Sequence, residues 1–183
     1  MSPEHHLRRV LAVGAHPGDI EAGCGGTLAA HRAAGDSVAM LVLTGADAAE
    51  QAAKELDCLL VRGPFQSLDS PAATIAAIED VLTGMDADVI YVHALDDSQG
   101  DHRAAAVATL NAARHGSRVL HYRGATTLRF EPSVFVDIGE HLDRKLATLP
   151  QPEIEAASAR YFGALARVRY AEAFAPTRFV RDL

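Results

Sequence analysis

Apolar positions along the chain fall into short unbroken runs, separated by polar, glycine-rich or alanine-rich stretches. Arg9–Ala15 (RVLAVGA), Ser37–Leu43 (SVAMLVL) and Asp88–His93 (DVIYVH) are such runs, and they read as strands buried on both faces. Thr27–Ala34 reads as a helix closed by Gly35, with His16–Gly26 as a polar, glycine-rich loop before it. Ala46–Leu56 reads as a helix, Leu59–Val61 as a short strand and Ser67–Ser70 as a turn. Pro71–Leu82 then forms a helix starting near Ser70. After a polar loop, Ala94–Gly100, comes an alanine-rich helix, Asp101–His115, and a further strand, Val119–Tyr122. Ser133–Asp137 alternates like a strand, and Glu140–Thr148 and Glu153–Arg169 look helical.

Strands alternating with helices predict an α/β fold with a parallel sheet covered on both faces. No repeat, low-complexity tract or linker divides the chain, so one domain is expected over residues 1–183. In sheets of this kind ligands sit beyond the carboxyl ends of the strands. The loops His16–Gly26 and His93–His102 both follow strands directly, so chemistry is to be sought on that shared rim.

Composition narrows the classes. The chain has 183 residues, 49% hydrophobic and 22% charged, which is enough to bury a core and too apolar for disorder. Its formal net charge of −7 disfavours a global nucleic-acid or anionic-membrane binder. Cys24 and Cys58 make no CxxC pair or disulfide framework, which suits the cytoplasm. No apolar leader core follows the charges of MSPEHHLRRV, and no run approaches the ~18 apolar residues of a membrane span. A cytoplasmic protein acting on a small molecule is therefore expected, with neither nucleic acid nor membrane as partner.

His16 and Asp19 stand three apart after the first strand, and His102 follows the strand ending near His93. Two imidazoles and a carboxylate suit Zn²⁺, and three protein ligands with an open fourth position describe a hydrolytic zinc site. The same residues also read more plainly, as a histidine bonded to a backbone carbonyl and an aspartate capping a helix. Gly23-Cys24-Gly25-Gly26-Thr27 reads either as a phosphate cradle or as close helix–strand packing with a tight turn, and a G-x-G-x-x-G fingerprint does not fit. Asp96, Asp97 and Asp101 form either a carboxylate cluster for acid–base or calcium chemistry, or a solvated loop with Asp101 as N-cap.

Ala15-His16-Pro17-Gly18-Asp19-Ile20-Glu21 followed by Gly23-Cys24-Gly25-Gly26-Thr27-Leu28-Ala29 resembles the N-terminal motif of the PIG-L/LmbE-like deacetylases, AHPDDxE…GCGGTLA. His93 to Arg103 (HALDDSQGDHR) is similar to that family's second motif, H-x-x-D-D-x-H-P-D-H-R, and Tyr170–Phe174 looks like its YAEAF. The resemblance implies a Rossmann-like three-layer sandwich and a mononuclear zinc enzyme that removes acyl groups from N-acyl amino-sugars or related amides. It also leaves room for a homo-oligomer. Carried over by position, the zinc ligands are His16, Asp19 and His102. Two positions depart from the pattern: Gly18 stands where the family has its general base, and Gln99 where it has a titratable histidine. Asp97 and Asp101 are then the remaining acid–base candidates, and Glu21, Asp96 and Arg103 are candidates for contacting substrate. The alternative is a repurposed or degenerate member that binds metal and a small ligand, or that runs a different metal-dependent reaction.

Overall fold

The computed structural model describes residues 7–116 and 118–179. The rest of the expected 1–183 domain, including most of the N-terminal segment read for a leader, lies outside the described residues. Seven strands form one sheet in the order β3-β2-β1-β4-β5-β7-β6. They are β1 (Arg9–Gly14), β2 (Ser37–Thr44), β3 (Leu59–Phe65), β4 (Val89–His93), β5 (Arg118–Tyr122), β6 (Val134–Asp137) and β7 (Ala171–Arg178). The first five in sequence pair in parallel, while β7 runs antiparallel to both β5 and β6. The helices are α1 (Asp19–Ala33), α2 (Glu50–Leu56), α3 (Pro71–Met85), α4 (Gly100–Ala112), α5 (Leu142–Leu146) and α6 (Pro152–Ala166), with a 3₁₀ turn at Ala46–Ala49 before α2.

The strands are apolar throughout because both faces are covered. Val10 and Ala12 on β1 pack with Ile20 and Leu28 of α1 and Leu56 of α2. Leu11 and Val13 face the other way, onto Ile78 and Leu82 of α3 and Ala105 of α4. Burying side chains of this size is worth roughly 1.5–3 kcal/mol each. Helix α5 packs on α1, and α6 packs against β7. No helix among the described residues is long and apolar enough to cross a membrane.

Two elements differ from the sequence expectation. The helix expected from Thr27 begins at Asp19, so the loop after β1 is short. That helix is broken at Cys24, whose φ of −147° and ψ of 15° are not helical. The segment with YAEAF, assigned no element from its pattern, is strand β7 inserted between β5 and β6.

Candidate metal centre

The expected rim exists. The β1–α1 loop places His16 and Asp19, and the β4–α4 loop leads to His102 on the first turn of α4. One ligand atom each from His16, Asp19 and His102 lies within 4.8 Å of the others. Asp19 is the first helical residue rather than the cap. Gly18 is the cap, at φ 93° and ψ −22°, a conformation that glycine tolerates and side chains resist. A Cβ at Gly18 would meet nothing within 4 Å, so backbone strain rather than space limits this position. Asp19 Oδ2 accepts the His16 amide at 2.7 Å.

Each of these two histidines is backed by its own carboxylate. His102 Nδ1 lies 3.3 Å from Asp97 Oδ2 and 3.3 Å from Thr126 Oγ1. Its other nitrogen, Nε2, is buried without a hydrogen-bond partner and stands 3.4 Å from Asp19 Oδ1. His16 Nε2 lies 3.0 Å from Asp101 Oδ2, while its Nδ1 lies 3.3 Å from Gln99 Nε2 and 3.5 Å from Asp19 Oδ2. Asp97 is buried, and it also accepts the Gln99 amide at 2.9 Å and the Thr127 hydroxyl at 3.0 Å.

Burial pushes the Asp19 pKa up, but contacts with His102 and the His16 amide outweigh it, and the carboxyl is held well below the usual range. Burial lowers the His102 pKa, yet Asp19 and Asp97 outweigh that and leave it raised. His93, at the end of β4, is fully buried, and burial holds its pKa low despite Asp19. Its ring stacks on His102 at 3.9 Å between centroids. Its Nε2 is 3.1 Å from the Ala15 amide nitrogen and 3.2 Å from Asp19 Oδ2. That nitrogen cannot both accept from the amide and donate to the carboxylate. The amide hydrogen points at it, so we take Nε2 as the acceptor and Asp19 as lacking that bond.

The donor set fits a divalent cation. Two imidazoles and a carboxylate converge, each ring is oriented by a carboxylate behind it, and one buried ring nitrogen has no partner. Among the described residues this is the one cluster of its kind. An open cavity of about 590 Å³ lies at the opposite, amino ends of the strands, beside Asp86, Asp88 and His115, and takes no part in this centre.

The other expected residues are distributed unevenly. Gln99 is the N-cap of α4 and touches His16. Asp101 is not the cap; it sits inside α4 and holds His16. Glu21 is buried, and its Oε2 accepts the Gly18 amide at 3.1 Å, closing a capping box. Burial raises its pKa. Asp96 is exposed, 3.8 Å from Arg129, and Arg103 donates to the Asp97 carbonyl. The glycine-rich segment is packing rather than a phosphate cradle. A Cβ at Gly23 would stand 2.1 Å from the Tyr122 ring, and one at Gly26 2.8 Å from Ile138. The amides of Gly26 and Thr27 are occupied by the Glu172 carboxylate, at 2.9 and 2.6 Å. Sequence reading missed His93, Lys145 and Glu172. Two of them, His93 and Glu172, lay in quoted motifs without an assigned role.

A model of the PIG-L family, described as GlcNAc-PI de-N-acetylase, matches residues 11–62. The uncharacterized deacetylase YaiS of Escherichia coli K12 is 30% identical over 171 residues, covering 81% of this chain and 92% of YaiS. The chain belongs to the PIG-L family. Among solved structures, the conserved protein TT1542 of Thermus thermophilus matches this PIG-L chain with a TM-score of 0.86 and 25% identity, covering 97% of this chain and 98% of that one. GalB of Pseudomonas putida, a 4-carboxy-2-hydroxymuconate hydratase, matches at 0.85 and 18% identity over 97% and 100% of the two chains. The N,N'-diacetylchitobiose deacetylase of Pyrococcus horikoshii matches at 0.78 and 17% over 93% and 84%. The last two share the PIG-L fold with this chain.

Proposed function

We propose that this PIG-L chain is a zinc-dependent hydrolase that removes an acyl group from an N-acyl amino-sugar or a related small amide. The observation that carries the reading is the buried, partnerless Nε2 of His102, facing Asp19 and His16, with carboxylates on the far sides of both rings. The family, and the sugar deacetylase that shares its fold, support the substrate class. His16, Asp19 and His102 would hold the ion. When bound, a zinc ion supplies Lewis acidity toward a carbonyl oxygen and lowers the pKa of water.

The chain's own residues do the rest. Hydrolysis adds one water across the C–N bond, and the proton the water loses must reach the leaving nitrogen. Gly18 has no group to carry it, and Gln99 cannot titrate. Asp97 is buried behind His102, and Glu21 is committed to the Gly18 amide. Asp101 stands 3.0 Å from His16 Nε2, on the far side of that ring from the centre, and orients it as Asp97 orients His102. None of these side chains faces the centre with a free titratable atom, so the proton passes from the water to the leaving nitrogen without a side-chain carrier. The Gln99 side-chain amide, 3.3 Å from His16, donates a hydrogen bond toward the substrate carbonyl oxygen.

The absence of a titratable side chain at positions 18 and 99 favours a second reading, a different reaction at the same centre. That a hydratase shares the fold is compatible with it. The test combines zinc content with amine release from N-acetylglucosamine and N,N'-diacetylchitobiose. The expected result is one zinc per chain with measurable release, and loss of both on His102→Ala. Undiminished zinc in that variant overturns the ligand assignment. Zinc without release from either sugar moves the chain to the second reading.

A further inference from the structure

Glu172 and Lys145 bear on the cation site only if His16, Asp19 and His102 form one, as proposed above. Asp19 rides on the part of α1 that precedes the break at Cys24. A helical segment that short is far below the ~12–15 residues at which a helix holds itself in water. Its direction is therefore set by whatever grips its ends. At its start, Glu21 takes the Gly18 amide. At its end, the Ala22 carbonyl accepts Lys145 Nζ at 2.6 Å.

Beyond the break a new helix begins, and its first amides have no helical partner. With Cys24 in the cap position, the second and third residues of that new helix are Gly26 and Thr27. Theirs are the amides an N-cap side chain would ordinarily satisfy. The Glu172 carboxylate, arriving from β7, accepts both. Glu172 Oε1 also accepts Lys145 Nζ at 2.6 Å, so one buried ion pair grips both sides of the break. A buried pair is a poor device for stability alone, since apolar residues of like volume often do as well. It can, however, answer one carbonyl and two amides at once, which a broken helix requires.

The break also connects to the cation site through the sheet. Gly23 lies flat against Tyr122, whose ring tilts on His93 at 4.9 Å. His93 stacks on His102, and its Nε2 is 3.2 Å from Asp19 Oδ2. We infer that the Glu172–Lys145 pair is the positioning element of the cation site. It fixes the angle between the two halves of α1, and so where the Asp19 carboxylate stands relative to His16 and His102.

The test is Co²⁺ binding, read by visible absorption and by competition with a chelator, on folded protein below its unfolding temperature. Glu172→Gln removes the charge and keeps the shape. Glu172→Gln with Lys145→Met removes both charges of the pair together and leaves only Glu155, 3.7 Å from Lys145 and part-exposed, without its cation, so the protein retains a route to folding. Leu28→Ala is the control, a cavity in the second half of α1 at a side chain packed in the apolar core. Both pair variants are expected to bind Co²⁺ about 10–100-fold more weakly, with an altered spectrum, the range typical of lost outer partners of a metal ligand. Leu28→Ala is expected to unfold at lower temperature and to keep wild-type affinity and spectrum. If the pair variants behave like Leu28→Ala, losing stability at unchanged affinity and spectrum, the pair is merely structural and the inference is overturned. A wild type that binds no Co²⁺ overturns the cation reading and this inference with it.

Discussion

An imidazole can give a metal only one of its two nitrogens, and the contact made by the other decides which. In His102 the carboxylate of Asp97 lies at Nδ1 and leaves Nε2 facing the site. In His16 the carboxylate of Asp101 lies at Nε2 and leaves Nδ1 facing it. Opposite nitrogens thus converge on one point because two aspartates approach from opposite sides. Asp97→Asn keeps the volume and removes the charge behind His102. It is expected to weaken zinc binding about 10–100-fold in a chelator competition. The buried contacts to Thr127 and the Gln99 amide make a stability loss of roughly 1–3 kcal/mol the accompanying cost. An affinity equal to wild type would leave Asp97 a loop residue only. The convergence of His16, Asp19 and His102 was legible in the sequence, since each lies in a loop or first helical turn that follows a strand, within a recognisable motif. Their orienting partners were not, because Asp97 reaches His102 only through the turn that separates them. Glu21 carried the same ambiguity. A carboxylate in a motif looks available for substrate, and only burial and the Gly18 amide reveal that it is engaged.

At the scale of elements, α1 is where pattern and structure part most. Gly23, Gly25 and Gly26 read as loop because glycine costs a helix up to ~1 kcal/mol per residue. Tertiary contacts offset that cost, and the glycines are required by how closely the helix meets its neighbours. This separates two substitutions that look alike in sequence. Gly23→Ala drives a methyl group into Tyr122 and is expected to lower stability by ~1–3 kcal/mol or more, the usual range for overpacking. A Cβ at Gly25 meets its nearest atom, Lys145 Cγ, at 3.6 Å, an ordinary contact, so Gly25→Ala is expected to be close to neutral. Paired thermal melts check both, and equal losses would contradict this account. The parallel core β1, β2, β4 and β5 was legible because double burial makes such strands continuously apolar. Strand β7 was not, because Glu172 faces a buried lysine rather than solvent and so breaks the expected alternation.

Across the whole molecule, buried imidazoles tie stability to pH. Burial holds His121 low, though its bond to the His93 carbonyl works against this, and His93 is held low as well. Below the unfolded value of about 6.5 the folded protein therefore binds fewer protons at these sites than the unfolded chain. Their contribution to stability is lost as pH falls through that region. His102 is displaced upward and acts oppositely, its contribution being present in acid and lost as pH rises through its folded value. His121 lies outside the ligand set, bonded to the His93 carbonyl at 2.7 Å and to Thr177 at 2.7 Å. His121→Asn keeps a donor for that carbonyl and removes the titration. In cation-free protein it is expected to flatten the acid limb of unfolding temperature against pH, and an unchanged limb would remove His121 from the account.

The place of β7 in the sheet has a consequence for the order of assembly. The amides at the break in α1, near residue 26, find their acceptor on residue 172, 146 residues further along the chain. A ribosome has made the other strands of the sheet and every helix named above before that acceptor exists. The early sheet can collapse on its own apolar runs, but α1 stays divided and unanchored until β7 enters between β5 and β6. Pulsed hydrogen exchange during refolding is expected to protect the amides of β1 and β4 first, and those of Gly26 and Thr27 only together with β7. The rim that carries His16, Asp19 and His102 would then be completed only when β7 joins the sheet, and a nascent chain lacking β7 would hold a sheet with those three side chains not yet set.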